Sequence, residues 1–171
     1  TAYFLQDNIL FYERTVHGLD ENGFLVPGTQ TLDISLTVTR LQESGMITAF
    51  GIEEDFPSNW LFAGIVTASS FPPIYPAAPD RDPFEFAWIS PPSLPLSITY
   101  RVNVPAQIDG PVTIQGRVLF RMSGTSGGFT SNEAATVIQV ASAAEEKKAL
   151  EDAPGEGIEA SMMPGDTPEA V

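Results

Sequence analysis

Three segments of the sequence alternate strictly between apolar and polar side chains. They are Thr31–Thr39, Ser97–Val104 and Val112–Met122. Successive side chains of a β-strand point to opposite faces, so a period of two places the apolar residues of each segment on one face. A strand with one apolar and one polar face belongs to an antiparallel sheet that covers a core on one side and meets water on the other. The alternation therefore predicts an all-β protein.

Apolar runs of strand length fill most of the remaining chain. They are Ile9–Val16, Phe24–Val26, Met46–Ile52, Leu61–Ala68, Phe84–Ile89 and Ala134–Val140. Turn-forming pairs such as Asn22-Gly23 separate the runs, and no amphipathic helix pattern interrupts the series. Eight of the 15 prolines fall between Pro72 and Pro95, which predicts a long loop around one short strand. Eight or nine short strands at this spacing predict two antiparallel sheets packed face to face, an immunoglobulin-like β-sandwich.

Charge divides the chain into two parts. Residues 1–143 carry 14 acidic residues, six arginines and no lysine, whereas residues 144–171 carry eight acidic residues, two lysines and no aromatic residue. The second part is rich in Ala, Glu, Gly and Pro, and it has too few large apolar side chains to offset the entropy of ordering it. We therefore expect a β-sandwich domain over residues 1–143 and a disordered, acidic low-complexity tail or linker over residues 144–171.

The composition excludes several classes of function. The sequence has no cysteine, which excludes disulfides, thiolate zinc sites, iron–sulfur clusters and cysteine nucleophiles. His17 is the only histidine, and a formal charge of −14 disfavours binding to the phosphates of a nucleic acid. No apolar run approaches the roughly 18 residues of a membrane-spanning helix. We therefore expect a non-enzymatic domain with no nucleic-acid partner and no transmembrane segment.

The order of motifs in the middle of the chain resembles a known family. Within Ile34–Trp60, an alternating strand leads into an acidic-x-x-Pro-x-x-Trp pattern, and two further alternating strands follow over Ile98–Gly116. These features are similar to the immunoglobulin-like β-sandwich repeats of bacterial and archaeal surface proteins, over residues 25–140. The resemblance implies a non-catalytic extracellular or cell-surface module with a structural or adhesive role. Its partners would be other protein subunits or neighbouring domains, as in a surface assembly or filament.

Aromatic side chains near the proline-rich loop are candidates for contacts with a partner. Phe71, Tyr75 and Trp88 border this loop, which is a departure from the family pattern because typical repeats are shorter there. Exposed aromatic rings provide large apolar contact areas for a protein and faces on which a sugar can stack. A carbohydrate-binding module that uses the aromatics near residues 71–88 is therefore the alternative function.

The N-terminal segment is a second candidate for partner binding. Tyr3, Phe4 and Leu5 form a short apolar run that has no obvious strand partner in the sequence. Such a segment either pairs as an edge strand of its own sheet or adds to the sheet edge of a neighbouring subunit.

One loop has the composition of a calcium site. Asp20 and Asn22 place oxygen-bearing side chains in one tight turn, and calcium takes six to eight oxygen ligands. The alternative is an ordinary Asn-Gly turn with solvated acidic residues, since the spacing does not match the twelve-residue EF-hand loop. The sequence leaves both interpretations open, and calcium is the only cofactor it suggests.

Several carboxylates have the chemistry of catalytic groups. Glu53, Asp55 and Asp80 are the candidates for the paired acids of glycosidic hydrolysis, which depends on a fixed separation between two carboxyl groups. Nothing in the sequence fixes that separation, so no catalytic residue is predicted.

Overall fold

The computed structural model describes residues 3–5, 9–43, 45–79 and 83–141. Residues 1–141 group as one compact unit. The predicted acidic tail, 144–171, lies outside the described residues. No helix long and apolar enough to cross a membrane occurs in the described ranges.

Eleven strands run through the described residues. They are β1 (Tyr3–Leu5), β2 (Leu10–His17), β3 (Phe24–Leu25), β4 (Thr31–Arg40), β5 (Ile47–Asp55), β6 (Leu61–Ala68), β7 (Phe84–Trp88), β8 (Leu96–Asn103), β9 (Val112–Met122), β10 (Gly128–Thr130) and β11 (Ala134–Val140). The three alternating segments of the sequence correspond to β4, β8 and β9.

The strands form the two sheets of a β-sandwich. The four-stranded sheet has the order β2-β4-β8-β6 and is antiparallel throughout. In the seven-stranded sheet β9 is central, with β5 on one edge and β7 beyond β5. On the other edge of β9, β10 and β11 follow one another, with β1 beside β10 and β3 beside β11. The predicted all-β sandwich is confirmed.

Two short outer strands depart from the predicted antiparallel arrangement. β1 pairs with β10 in parallel, and β3 pairs with β11 in parallel. Both are joined along the chain to strands of the four-stranded sheet, so no hairpin links them to their partners. A tight hairpin can join only antiparallel strands, and a strand that crosses over from the other sheet is free of that constraint.

The inward faces of the alternating strands build the core. The buried side chains of β4, β8 and β9 are Leu32, Ile34, Leu36, Val38, Leu96, Ile98, Tyr100, Val102, Val112, Ile114, Val118 and Phe120. Around Tyr100, the rings of Phe56, Phe62, Phe84 and Phe86 pack with centroid separations of 5.2–6.3 Å. Burial of one such side chain contributes about 1.5–3 kcal/mol, so the inward faces of these three strands are a major source of the stability of the sandwich.

Two segments differ from the strand boundaries expected from the sequence. The run Met46–Ile52 was expected to end at Ile52, but β5 continues to Asp55 because Glu53, Glu54 and Asp55 extend its pairing with β9. The Gly/Ser/Thr segment 123–131 was expected to be a loop, but it contains β10, which is held by backbone pairing to β9 on one side and β1 on the other. Backbone hydrogen bonds to neighbouring strands therefore account for the end of β5 and for β10, and neither segment shows apolar alternation in the sequence.

One ion pair lies on the exposed face of the four-stranded sheet. Arg101 Nε donates to Asp33 Oδ1 over 2.7 Å, and Arg101 Nη2 donates to Asp33 Oδ2 over 2.9 Å. This hydrogen-bonded contact with Arg101 lowers the pKa of the Asp33 carboxyl below its ordinary value. A carboxyl whose pKa is depressed by folding stabilises the protein at pH values above its unfolded pKa, and that contribution is lost as the pH falls through the folded pKa.

We expect Asp33→Asn to lower the urea midpoint of unfolding slightly at pH 7, because exposed ion pairs contribute little. The difference from the wild type should shrink as the pH falls and should vanish below the folded-state pKa of Asp33. Glu85→Gln on β7, which also removes one exposed strand carboxylate, is the control for the change in net charge. A difference that grows in acid would contradict the assignment.

Candidate functional site

Three large side chains of the proline-rich loop form an exposed apolar surface. Phe71, Ile74 and Tyr75, which we call the loop surface, are 57 %, 55 % and 46 % exposed. The rings of Phe71 and Tyr75 meet edge to face, with centroids 5.4 Å apart and planes at 89°. The sequence predicts exposure for Phe71 and Tyr75, and the structure adds Ile74 between them.

The loop surface is held in place by the sheet beside it. The backbone N–H of Ile74 donates to the carbonyl of Ala87 over 3.3 Å, and the N–H of Ala87 donates to the carbonyl of Ile74 over 2.9 Å. This bridge attaches the loop to the outer edge of β7. Nearby, Trp88 Nε1 donates to the carbonyl of Ser70 over 3.2 Å. The loop therefore presents its apolar side chains from an anchored backbone.

Trp88 does not belong to the exposed surface, which corrects the expectation for this residue. It is 6 % exposed, and its ring meets Phe50 edge to face at 5.4 Å. The reason is the period of two in β7, which directs Phe84, Phe86 and Trp88 to the same buried face. Trp88 supports the loop from beneath and offers no ring face to a ligand.

The N-terminal segment pairs within its own chain. Tyr3, Phe4 and Leu5 form β1, in register with Gly128, Phe129 and Thr130 of β10. Of the two expectations for this segment, the structure shows the edge strand of its own sheet. A role of these residues in binding a neighbour remains a prediction.

The predicted calcium ligands lie in the turn between β2 and β3. Asp20 Oδ1 accepts the backbone N–H groups of Asn22 and Phe24 over 2.9 and 2.7 Å, so the carboxylate stabilises the turn. Within the described ranges, no group of three or more His, Asp or Glu side chains is arranged to hold a metal ion. Calcium binding by Asp20 and Asn22 stays a prediction.

Two of the acidic candidates for catalytic groups, Glu53 and Asp55, lie on the same face of β5. Glu53 is paired with Arg117 over 3.0 Å, and Arg117 also reaches Glu133 over 3.7 Å. Glu53 and Asp55 lie on the outer face of the sheet, whereas Glu54 between them points into the core. The third candidate, Asp80, lies outside the described residues.

Glu54 is the centre of a polar cluster that the sequence analysis did not single out. Its side chain is fully buried between the two sheets, and so is the side chain of Arg14. Arg14 Nη2 donates to Glu54 Oε1 over 2.6 Å and Arg14 Nε to Oε2 over 2.8 Å, while the hydroxyl of Tyr100 donates to Oε2 over 2.8 Å. The hydroxyl of Tyr12 donates to Oε1. Each carboxylate oxygen thus accepts two hydrogen bonds.

The third guanidinium nitrogen of Arg14 connects the cluster to the seven-stranded sheet. Arg14 Nη1 donates to the carbonyls of Ile114 and Ala134 over 3.1 and 3.0 Å and to Thr136 Oγ1 over 3.0 Å. Arg14 belongs to the four-stranded sheet, and its acceptors lie on β5, β9 and β11. One side chain therefore joins both layers of the sandwich.

The charge state of the cluster follows from its donors. Burial raises the pKa of the Glu54 carboxyl well above its ordinary value, and the hydrogen bond from Tyr100 offsets only part of that rise. Burial also lowers the pKa of Arg14, although arginine stays protonated in proteins. Each oxygen of Glu54 accepts one hydrogen bond from the Arg14 guanidinium, which has no lone pair to accept a carboxyl proton. The geometry therefore fits a buried ion pair with saturated hydrogen bonds, closed to solvent and to any substrate.

A signal for this cluster is present in the sequence. In β5 the period of two places Glu54 on the same face as Phe50 and Ile52, and in β2 it places Arg14 on the same face as Tyr12. An acidic and a basic residue, each at an inward position of a different strand, indicate a buried pair, because a lone buried charge is too costly.

The sequence matches no protein-family model, and no curated protein matches it either. Among solved structures, the chain is similar to the cohesin module of a family 33 glycoside hydrolase from Clostridium perfringens. The TM-score is 0.55 and the identity 8 %, over 78 % of this chain and 97 % of that module. This overlap confirms the predicted β-sandwich fold and, at such low identity, shows the fold alone.

Two bacterial surface proteins overlap with the chain more loosely. The collagen-binding domain of a Staphylococcus aureus adhesin gives a TM-score of 0.45 and 9 % identity, over 75 % of this chain and 97 % of that one. The full-length major pilin SpaD of Corynebacterium diphtheriae gives 0.45 and 14 %, over 74 % of this chain and 34 % of the pilin.

Proposed function

We propose that this chain is a non-catalytic, extracellular structural or adhesive module that binds another protein through the loop surface of Phe71, Ile74 and Tyr75. The observation that carries the proposal is the exposure of these three side chains on a loop whose backbone is anchored to β7. Contact residues that are already held in place lose little entropy on binding, so their apolar area contributes more fully to affinity. Aromatic residues of this kind dominate the energy of protein interfaces.

The geometry of the two rings favours a protein over a sugar. Phe71 and Tyr75 stand perpendicular to each other, so they offer one face and one edge at the contact. Two perpendicular rings can insert between the side chains of a protein surface. Stacking on a chain of sugar rings instead requires aromatic rings whose faces are coplanar. Because Trp88 is buried, the alternative carbohydrate-binding function is left with these two rings alone.

The charge of the chain indicates what the partner is like. A formal charge of −14 makes two copies of this protein repel each other at low salt. A partner with an apolar centre and a basic rim would be attracted instead, and its association would slow as salt screens the attraction. We therefore favour a different protein with a basic contact surface over a second copy of this chain.

We expect the double variant Phe71→Ser/Tyr75→Ser to lose at least tenfold in affinity for its protein partner, since hot-spot aromatics each contribute about 2 kcal/mol or more. The test is an immobilised panel of purified extracellular matrix proteins and polysaccharides, probed with the full chain at 50 and 300 mM salt. Val137→Ser, which removes an equally exposed apolar side chain from β11, is the matched control and should bind as the wild type does.

Other outcomes would contradict the proposal in distinct ways. Binding to a polysaccharide that is lost in the double variant would establish the carbohydrate-binding alternative. Self-association in sedimentation velocity that strengthens with salt would show an assembly of like copies. Binding to a protein that is unchanged in the double variant would place the contact elsewhere on the surface.

A further inference from the structure

We propose that the sandwich is built to carry tension between its two ends, and that Asn132 and Arg14 form the lock that resists it. We call these two residues with their partners on β2, β9 and β11 the seam lock. This inference goes beyond the proposed function, because it concerns a module that is joined to neighbours at both of its ends. It is carried by the directions of the terminal strands and by the contacts between them.

The first and last strands of the described unit begin and end at opposite ends of one sheet. β1 starts beside Gly128, which pairs with Arg121 near the C-terminal end of β9. β11 ends beyond Ile138, which pairs with Val112 at the N-terminal end of β9. The nine residue-to-residue steps from Arg121 to Val112 correspond to roughly 30 Å of strand. A pull on both ends therefore acts along the strands.

Such a pull loads β1 in shear. β1 is parallel to β10, and β10 and β11 run in the same direction along β9. Tension draws β1 backwards and β11 forwards, so parallel neighbours slide past each other. In this geometry the hydrogen bonds between the strands must break together, whereas in unzipping they break one after another.

β2 follows β1 along the chain, so the same pull also acts on β2. β2 is held to the β11 side of the opposing sheet by hydrogen bonds of side chains, in contrast to the backbone hydrogen bonds that join β1 to β10. Asn132 Oδ1 accepts the backbone N–H of Tyr12 over 2.9 Å, and Asn132 Nδ2 donates to the carbonyl of Tyr12 over 2.9 Å. Two residues further along β2, Arg14 reaches Ala134 and Thr136 of β11. The rising residue numbers on both strands show that β2 and β11 run the same way.

The seam lock therefore resists sliding of β2 along β11. The side-chain amide of Asn132 bonds both the N–H and the carbonyl of Tyr12, as the backbone of a neighbouring strand would. It thereby covers part of the edge of β2. Arg14 follows with bonds to three strands of the opposing sheet, through Glu54, Ile114 and the two β11 residues. Tension on β2 meets both groups before the apolar core is exposed.

The experiment stretches single molecules of the full 171-residue chain between its two ends in an optical trap. Asn132→Ala removes two hydrogen bonds of the lock, and we expect its unfolding rate at a given force to rise about tenfold or more. Thr136→Val, which is close in shape and removes one acceptor of Arg14, should show a smaller increase in the same direction. Its mild change keeps the test valid if Asn132→Ala fails to fold.

The matched control acts on the opposite side of the sandwich. Trp88→Phe removes the hydrogen bond to Ser70, which joins β7 to the loop after β6. The free energy of unfolding in urea is measured for each variant, and the change in rate under load is compared with it. For the lock variants, the unfolding rate under load should rise by more than the loss of free energy of unfolding in urea predicts. For Trp88→Phe, the rise should be no larger than that loss predicts.

A second geometry tests the direction of the load. Moving one handle from the C-terminal end to Ser126→Cys places both handles at the same end of the sheet, where β1 and β10 begin. The wild type should then unfold at a lower force, because β1 is unzipped from β10. Equal forces in the two geometries, or equal effects of Asn132→Ala and Trp88→Phe, would overturn the inference. Neither readout depends on the loop surface, so failure of the partner-binding proposal is detected separately.

Discussion

Gly116→Ala should destabilise the protein by about 3 kcal/mol, the upper end of the usual range for overpacking a core. Gly116 is an inward position of β9, where the neighbouring inward residues are Ile114 and Val118. A Cβ atom there would collide with the carboxylate of Glu54, and it would approach the Tyr12 hydroxyl to 2.8 Å. The ion pair cannot move away, since both of its members are fixed by hydrogen bonds on every side.

The measurement is urea unfolding followed by circular dichroism at pH 7. Gly51→Ala on β5 is the matched control, because it also adds a methyl group to a strand next to β9. Its Cβ would meet the carbonyl of Phe86 at 3.2 Å, a tight contact that leaves the ion pair intact. We expect a small change for Gly51→Ala, and equal losses for the two variants would show that Gly116 is not reserved for the cluster.

Breaking the buried ion pair should have a comparable effect, and removing both charges should have a smaller one. Glu54→Gln leaves the Arg14 charge buried without a counter-ion, and Arg14→Met does the same to Glu54. We expect each single variant to lose about 3–5 kcal/mol, because an unpaired charge in the core is poorly solvated. The double variant Arg14→Met/Glu54→Gln should be more stable than either single variant, since its hydroxyl partners keep an amide oxygen as acceptor.

A double-mutant cycle by chemical denaturation measures the coupling between the two residues. Arg117→Met and Glu53→Gln provide the matched cycle on the outer face of the same sheet, where the pair is partly exposed and its coupling should be weak. If the single losses at Arg14 and Glu54 simply add, the two side chains do not act as an ion pair.

The loop surface and the seam lock lie on opposite sides of the sandwich. The loop surface follows β6 and is attached to β7, the outermost strands on one side, whereas the lock joins β2 to β11 on the other. A partner bound at Phe71 and Tyr75 would therefore leave the load path between β1 and β11 untouched. The two proposals can therefore be tested independently of each other.

Much of the fold was predictable because apolar alternation is a local property. The period of two in β4, β8 and β9 predicts which side chains face the core, and the same side chains are buried in the structure. Turn residues and prolines between the runs indicated short strands with many connections. The predicted exposure of Phe71 and Tyr75 rested on the same local reasoning, since a proline-rich loop cannot join the interior of a sheet.

Tertiary structure alone decided which strands meet. The parallel pairing of β1 with β10, and of β3 with β11, depends on the path of the chain between sheets, and no residue pattern within these short segments encodes it. The period of two in β7 turns Trp88 inward, but only the pairing of β7 with β5 places its ring against Phe50.

The buried cluster shows this division most clearly. The sequence places Arg14 and Glu54 on inward faces of their own strands, which requires each of them to find a partner of opposite charge. That they find each other, 40 residues apart, beside a glycine on a third strand, follows from the packing of two sheets. The local period of two determines which face of a strand a side chain occupies. The residue that it contacts is determined by how strands that are distant along the chain pair and pack.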